Sequence, residues 1–508
     1  MRTAVQKSSK DGIVGYDGPI PGESGCNYAC FGCCCPFIFR WWNTWTHLQV
    51  WRAQTEDGNS DAPWRYNASR GTVDGVSQGL YAGPEYRGTC VYSHALVKAQ
   101  LQHFSTNELA GLLNRTPGYL GYTQYGIMWP EVPWKTIELG TPVSYHEVLR
   151  PLMIQLMGSE NAAGWSEAEI ADAADAFFEG RTEFDTDVDV QVWVQQQLHR
   201  ILLGMNLSAD EAKQIFGLFA SMATNAFLDP FPSCLVGCVR CLPISIFDYK
   251  PTLQTKAEII AKYREALRPR LPDEALDEDR LTQLASTVFD ANLFAGGKSV
   301  VTVIPMLVQL PHLAWGQRNL PLETLGGEQL LALESDPTLR RQYVWETIRR
   351  WNPVGGFAYH TRSGKTIILD LMSAQVDPEA WGADSLTFKL RPLAEYAEKI
   401  IGFADFASRP GDEAWKHARA CPGKDLALVL CDAFAAAYSA AAKRAAAEGR
   451  GSWKMYDRTT GERLEADEPT LSTYGVTTCV MRLTPDDTRS QPHRKARLEN
   501  PLDEWLLH

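Results

Sequence analysis

The sequence predicts a mainly α-helical protein with a minor β portion, and three observations favour this fold class. Apolar residues recur at helical spacing over most of residues 93–228 and again beyond residue 255. Strand-like patterns are confined to short segments within 55–90, 360–374 and 455–485. No internal repeat is evident, and low complexity is confined to one Ala-rich stretch. We therefore expect one large, mostly helical core.

Composition narrows the class of protein. The chain has 508 residues, 45% hydrophobic and 22% charged, as in ordinary soluble globular proteins. A net charge of -12 and the absence of a dense Lys/Arg run argue against a nucleic-acid partner. The first twenty residues lack the apolar core of a secretory signal. No stretch reaches the ~18 to 20 consecutive apolar residues of a membrane span. An intracellular protein without a spanning helix is expected.

Two regions are expected along the chain, an N-terminal segment at 1–51 and one large domain at 52–508. Residues 1–25 are polar and rich in Gly and Pro, which favours extended chain. Residues 26–51 combine five Cys, four Trp and three Phe. Residues 55–90 are rich in Gly, Asn and Asp, which predicts loops with short strands.

The next elements are helices. Ser166 and Glu169 have the spacing of a capping box, which predicts a helix that begins there. Helical patterns follow at 188–205 and 208–228, and a third follows at 255–271 after a proline-rich break at 229–247. Residues 278–315 are the longest apolar helical candidate, interrupted at Gly296, Gly297 and Pro305. Paired glycines cost about 2 kcal/mol inside a helix, so a close approach is expected there.

The last third combines helices with short strands. Residues 335–351 and the Ala-rich 425–449 are predicted helices. Residues 360–374 alternate around the turn residues Ser363 and Gly364, which predicts a strand pair. Residues 455–468 and 470–485 are predicted to form a hairpin region.

Cys421 precedes Pro-Gly and the Ala-rich helix, and this arrangement suits a thiolate ligand. A helix N-terminus stabilises a deprotonated sulfur. Gly423 lets the backbone lie close to a flat ligand, and Arg419 has the charge to pair with a carboxylate. These are the requirements of a haem-thiolate loop. The alternative is a buried free cysteine at a helix start.

Three further motifs precede this loop. Glu346 and Arg349 share one helix face at i, i+3, where they either pair under cover of Trp345 and Trp351 or form a solvated surface pair. Downstream, D-P-x-x-W runs from Asp377 to Trp381, and F-x-x-R runs from Phe388 to Arg391.

In order and spacing, these motifs resemble the cytochrome P-450 superfamily over about residues 280–440. The resemblance implies haem b (iron protoporphyrin IX) with Cys421 as the iron ligand. It also implies a buried charge network of Glu346, Arg349 and Arg391 behind the haem. Pro19 to Gly25 (PIPG-x-x-G) is similar to the proline-rich N-terminal segment of these proteins. The usual Phe-Gly-x-Gly run before the cysteine is absent, and Phe403 and Phe406 stand too far upstream to replace it.

The helix expected to cross the haem face departs from the pattern of oxygen-activating members, A-G-x-acid-Thr. It has Lys298 at the acid position and Ser299 at the threonine position. Residues 292–298 (NLFAGGK) instead resemble the N-x-F-G-G-x-K segment of the fatty acid hydroperoxide-metabolising branch, and 421–425 (CPGKD) resemble its C-A-G-K-D loop. That branch contains the allene oxide synthases, hydroperoxide lyases, divinyl ether synthases and epoxyalcohol synthases of oxylipin biosynthesis.

This second resemblance implies a lyase or isomerase that splits the O–O bond of a polyunsaturated fatty acid hydroperoxide without dioxygen or an obligatory reductase. It implies that Asn292 hydrogen-bonds the peroxide and that Phe294 lines the pocket, where the alternatives are a satisfied core amide and plain core packing. Ser472, Thr473 and Thr477 are further substrate-contact candidates. Monooxygenation with an external reductase, and a non-catalytic haem-binding or membrane-docking protein, remain open.

Two cysteine clusters share one spacing. Cys26, Cys30 and Cys33 repeat the intervals of Cys234, Cys238 and Cys241, which resemble the iron–sulfur motif of radical S-adenosylmethionine enzymes. The repeating βα units of those enzymes are missing. A shared structural zinc, S-acylation and inert apolar thiols are the other interpretations. We favour a peripheral membrane-interface patch, because Phe, Pro and Trp border the cysteines.

Overall fold

The computed structural model describes residues 76–80, 87–104, 152–157, 166–228, 250–271, 278–290, 298–312, 327–354, 356–360, 366–403, 421–464 and 479–485. The helices are α1 (His94–Phe104), α2 (Glu167–Phe178), α3 (Val188–Leu203), α4 (Ala209–Leu228), α5 (Lys250–Leu267), α6 (Glu278–Asp290), α7 (Lys298–Gln309), α8 (Gly327–Ala332), α9 (Pro337–Arg350), α10 (Leu371–Ala374), α11 (Pro378–Trp381), α12 (Leu393–Lys399) and α13 (Lys424–Ala447). The strands are β1 (Val76–Leu80), β2 (Arg87–Val91), β3 (Glu183–Asp185), β4 (Gly356–His360), β5 (Thr366–Asp370), β6 (Ser452–Asp457) and β7 (Cys479–Thr484).

The predicted fold class is confirmed, because two small sheets accompany a predominantly helical body. One sheet has the order β1-β2-β5-β4, in which β2 and β5 are parallel and the other pairs antiparallel. The second sheet has the order β3-β7-β6 and is antiparallel throughout. Of the strand-like stretch predicted at 360–374, β5 and the last residue of β4 are confirmed as strands, whereas residues 371–374 form the short helix α10.

The core is centred on the Ala-rich helix α13, which packs against α2, α7 and α9. Its residues Leu430 and Phe434 are fully buried. The Ala-rich helix α13 has the length and mean hydropathy of a membrane-spanning helix. No such segment was predicted from the sequence. However, 72% of its most apolar window is buried inside the protein, as expected of a core helix.

Helix α2 begins where the capping box predicts. The backbone N–H of Glu169 donates to the Ser166 hydroxyl at 3.1 Å, and the backbone N–H of Ser166 donates to the Glu169 carboxylate at 3.4 Å. Helix α9 begins after Asp336, whose carboxylate accepts the backbone N–H of Leu339 at 2.9 Å, with Pro337 at its first position. Both starts follow from local side-chain chemistry.

The long apolar candidate at 278–315 divides into two helices, α6 and α7. The prediction that Pro305 interrupts it was wrong, because Pro305 lies inside α7. Proline removes one helical hydrogen bond and is tolerated when tertiary packing holds the helix. Here every residue from 300 to 310 is buried, and α7 packs against α3, α9 and α13.

Candidate functional site

Cys421 lies three residues before α13, in the position predicted for a ligand. It is in no disulfide and is partly exposed, whereas the other cysteines that the structure describes, Cys90, Cys431 and Cys479, are buried. Burial raises the pKa of the Cys431 thiol well above its ordinary value, so that residue is a protonated core side chain. The free N–H groups of the α13 N-terminus favour a negative sulfur at Cys421.

The backbone of Cys421 is anchored by Phe403. The N–H of Cys421 donates to the Phe403 carbonyl oxygen at 2.8 Å, although residues 404–420 separate the two in sequence. Phe403 does not take the place of the missing Phe-Gly-x-Gly run in sequence, but its backbone carbonyl contributes to the loop by this hydrogen bond. Distance along the chain says little about distance in space when a backbone hydrogen bond joins the two ends of the intervening segment. Phe406 and Arg419 lie outside the described residues.

Gly423 directly precedes α13, and its carbonyl accepts the backbone N–H of Ala427 at 2.9 Å. Its φ of -97° is open to any residue. A Cβ atom there would meet the Met157 sulfur at 3.4 Å, an ordinary van der Waals contact. Neither backbone conformation nor protein packing therefore requires glycine at this position. The small residue leaves room beside Cys421, as a flat ligand needs.

The structure brings Glu346, Arg349 and Arg391 together. Glu346 and Arg349 are fully buried and form a bidentate pair, with N···O distances of 2.7 and 2.8 Å. Arg391 Nη1 donates to the same carboxylate at 2.8 Å. The interpretation of Glu346 and Arg349 as a covered pair therefore describes their environment, and the alternative of a solvated pair does not.

The remaining donors of Arg349 hold a second stretch of chain. They reach the carbonyl oxygens of Gln375, Ser385 and Thr387 at 3.0, 2.6 and 3.0 Å. Arg349 thus ties the segment between α10 and α12 to α9. A buried charged donor with three carbonyl partners is a strong structural clamp.

Burial and neighbouring charges have opposite effects on the pKa of Arg391. Burial alone would lower the pKa of Arg391, but Glu346 and Asp384 outweigh it and raise the pKa. Asp384 Oδ1 lies 3.2 Å from Arg391. Hydrogen bonding from Lys389, together with the charge of Arg391, lowers the pKa of the Asp384 carboxyl. Two carboxylates and two arginines therefore neutralise one another at this site.

The D-P-x-x-W motif supports this network. Asp377 caps α11 by accepting the backbone N–H of Glu379 at 3.0 Å, and it also accepts the N–H of His94 at 2.8 Å. The Trp381 ring lies 5.0 Å from the Arg349 guanidinium and 5.7 Å from that of Arg391. The tryptophan therefore covers both cations with its π face.

Trp345 connects the charge network to the cysteine loop, a contact that sequence reasoning missed. Its ring stacks on Tyr396 at 6.4 Å, and the Tyr396 hydroxyl donates to Glu346 at 3.0 Å. On another side the ring meets Phe403 edge-on at 5.7 Å. The Lys424 ammonium lies 5.8 Å from the ring centre. Only the position of Trp345 beside Glu346 in sequence hinted at this role.

Of the residues predicted on the long helix, Lys298 is the first residue of α7 and Ser299 is half-buried in its first turn. The remaining candidates lie outside the described residues: Asn292, Phe294, Ser472, Thr473, Thr477, the segment 1–51 and both cysteine clusters. Among the residues that are described, no group of three His, Cys, Asp or Glu side chains is placed to hold a metal ion.

Comparisons with known proteins address the fold. No protein-family model matches the chain, and no curated protein matches it significantly. Cytochrome P450epoK bound to epothilone B aligns with a TM-score of 0.54 and 14% identity, over 84% of this chain and 96% of that chain. P450BioI, in complex with an acyl carrier protein carrying hexadec-9Z-enoic acid, aligns at 0.53 and 14%, over 84% and 99%. CYP164A2 of Mycobacterium smegmatis with econazole aligns at 0.54 and 17%, over 86% and 98%.

Identities this low bear on the fold alone. They do not support the hydroperoxide-metabolising branch over the rest of the superfamily. The alignments span nearly the whole of each solved chain, so they concern the complete domain and not a shared helix pair. This chain has the cytochrome P-450 fold.

Proposed function

We propose that this protein is a haem-thiolate enzyme in which Cys421 binds the iron of haem b. The observation that carries the proposal is a partly exposed thiol at the N-terminus of a core helix, anchored to Phe403, in a cytochrome P-450 fold. When bound, a thiolate-ligated haem supplies activation of an oxygen–oxygen bond.

The residues around Cys421 fit this group. Gly423 leaves open the space that a Cβ atom would take, and the backbone bond to Phe403 fixes the sulfur-bearing residue. Glu346, Arg349 and Arg391 hold α9 and the segment after α10 in one arrangement. A propionate partner is proposed at Arg419 on the motif alone.

For the reaction class, the structural relatives favour oxidation of an organic substrate with dioxygen and an external reductase. Those relatives include a protein with epothilone B bound and one in complex with a fatty acyl carrier protein. Monooxygenation is therefore the first candidate reaction, with a largely apolar organic molecule as its substrate.

A second candidate rests on a specific observation on α7. The helix opens with Lys298 and Ser299 in place of an acid and a threonine, so the carboxylate of a proton relay to dioxygen is missing there. A substrate that brings its own O–O bond needs no such relay. Rearrangement of a polyunsaturated fatty acid hydroperoxide, with Asn292 and Phe294 at the substrate, is this second candidate.

One experiment separates the two reactions. The purified ferric protein is mixed with a polyunsaturated fatty acid hydroperoxide without reductant, and loss of the conjugated-diene absorbance is followed. A parallel sample receives NADPH, a reductase and the unoxidised fatty acid, and hydroxylated product is measured. Diene loss without reductant establishes the hydroperoxide reaction. Monooxygenation is established if the second sample gives hydroxylated product only with the reductase and the first sample keeps its conjugated-diene absorbance. A protein that binds no haem refutes both candidates.

A further inference from the structure

Lys424 stands in an unusual place for a lysine. It is the first residue of α13, where the positive end of the helix dipole disfavours a cation. Natural sequences depart from such local rules mainly at functional or strained sites. The side chain is half-buried, and its ammonium lies 5.8 Å from the centre of the Trp345 ring. The ring face offsets the unfavourable dipole by attracting the cation.

The Trp345 ring is itself fixed from two sides. Tyr396 stacks on it with an interplanar angle of 13°, and Phe403 meets it at 88°. Phe403 is the residue whose carbonyl accepts the Cys421 N–H. Trp345 therefore touches the chain on both sides of Cys421: Phe403, which anchors it, and Lys424, three residues after it. The Lys424 cation is therefore held by the same ring that packs on the residue anchoring Cys421.

We propose that Trp345 is a positioning residue that holds the Lys424 cation beside the iron-binding sulfur, and that this cation raises the reduction potential of the bound haem. The inference rests on the proposed function of Cys421. A fixed positive charge favours the form of the site that carries the extra electron. In the measurement, a reduced mediator dye supplies one electron per haem and the ferric iron becomes ferrous.

The test is a potentiometric titration of the haem-loaded full chain and of variants at Lys424 and Trp345. Lys424→Met removes the charge and keeps the chain length, so the potential should shift to more negative values. Lys424→Arg keeps the charge and should retain the wild-type potential. Trp345→Leu should shift the potential in the same direction as Lys424→Met. Added to Lys424→Met, Trp345→Leu should produce no further shift. Trp345→Phe keeps a ring face for the cation and should retain a potential close to that of the wild type, whereas a shift equal to that of Trp345→Leu would contradict the role of the ring.

Lys443→Met is the matched control. Lys443 lies on the same helix, about 28 Å along its axis from Lys424, and pairs with Glu334 at 3.0 Å on the surface. Its loss should leave the potential unchanged.

Two results would overturn the inference while leaving the proposed function intact. In the first, Lys424→Met leaves the potential of a normally loaded protein unchanged. In the second, Trp345→Leu shifts the potential equally with and without Lys424, which would mean that the ring only packs the loop. A wild-type protein without a thiolate haem spectrum would refute the proposed function, and the inference would fall with it.

Discussion

Glu346 is a fully buried carboxylate on which side-chain and backbone donors of four residues converge. Arg349 and Arg391 donate to it, as do the Tyr396 hydroxyl and the backbone N–H of Lys389 at 2.9 Å. Glu346→Gln keeps the shape of the side chain and removes its charge. Both guanidinium groups would then be left without this buried counter-charge. We expect a loss of about 3–5 kcal/mol in the free energy of unfolding, measured by urea denaturation.

Glu395→Gln is the control for that prediction. Glu395 is partly exposed, pairs with Lys399 at 2.9 Å on α12 and reaches Arg391 only at 4.0 Å. Solvent screens such pairs, so its loss should cost less than about 1 kcal/mol. Equal losses for the two variants would show that the Glu346 network adds no more stability than a surface pair.

His199 makes stability depend on pH. Burial lowers its pKa to about 4, compared with 6.5 in the unfolded chain. Its Nδ1–H donates to the Gln195 carbonyl at 2.7 Å, which leaves Nε2 to accept the Tyr263 hydroxyl. Between pH 6.5 and pH 4 the His199 ring is protonated in the unfolded chain but stays neutral in the folded protein. Stability is therefore lost as pH falls from 6.5 to 4, by about 3 kcal/mol from this residue.

His199→Gln removes this titration. Urea denaturation of both proteins at several pH values should show a steeper acid loss for the wild type. Parallel curves between pH 6.5 and pH 4 would contradict the assigned burial of His199.

At the residue scale, the features that could be predicted are those that follow from the spacing of residues in the sequence. Glu346 and Arg349 were paired from their i, i+3 interval, and Cys421 was selected from its place before a helix. The contacts of Trp345 with Phe403 and Lys424 were not predicted. They depend on Phe403 and Cys421 lying close together in space, which no local sequence pattern specifies.

Among the glycines that the structure describes, Gly451, between α13 and β6, leaves the least room for a side chain. Gly451 has φ +93°, and a Cβ atom there would lie 1.9 Å from the Thr484 carbonyl oxygen on β7. The atoms in the way belong to the backbone at the end of β7, which cannot move aside as a flexible side chain can. We expect Gly451→Ala to cost about 3–5 kcal/mol, measured by thermal or urea unfolding.

Gly449→Ala is the matched comparison two residues earlier. Gly449 has φ +66°, but a Cβ atom added there would meet no other atom within 4 Å. Only the left-handed backbone opposes alanine there, at about 1–2 kcal/mol. A Gly451 variant as stable as the Gly449 variant would contradict the close packing of β6 and β7.

The sequence predicted elements best where the signal is local. The start of α2 followed from its capping box, and β5 followed from alternation after a turn. Pro305 was misinterpreted because tertiary packing outweighs the intrinsic preference of proline. The parallel pairing of β2 with β5 joins Cys90 to Ile368. Pairing across such a distance in sequence leaves no periodic pattern to detect.

For the whole molecule, four short motifs predicted a fold that overall sequence similarity does not reveal. Identity to the solved structures is only 14 to 17%. The motifs are recognisable because their residues form the Glu346 network and the Cys421 loop, where few other side chains would serve. The reaction class lacks this advantage, since the residues that would decide it include Asn292 and Phe294, which lie outside the described part of the chain.

The most direct test of the central claim is the carbon-monoxide difference spectrum of the reduced, haem-loaded protein and of two cysteine variants. The wild type should show the red-shifted Soret band that a thiolate ligand produces. Cys421→Ser should lose that band. Cys431→Ser changes a buried cysteine within α13, ten residues after Cys421, and should keep the band. A thiolate band that survives Cys421→Ser, or a wild type without one, would contradict the assignment of Cys421 as the ligand.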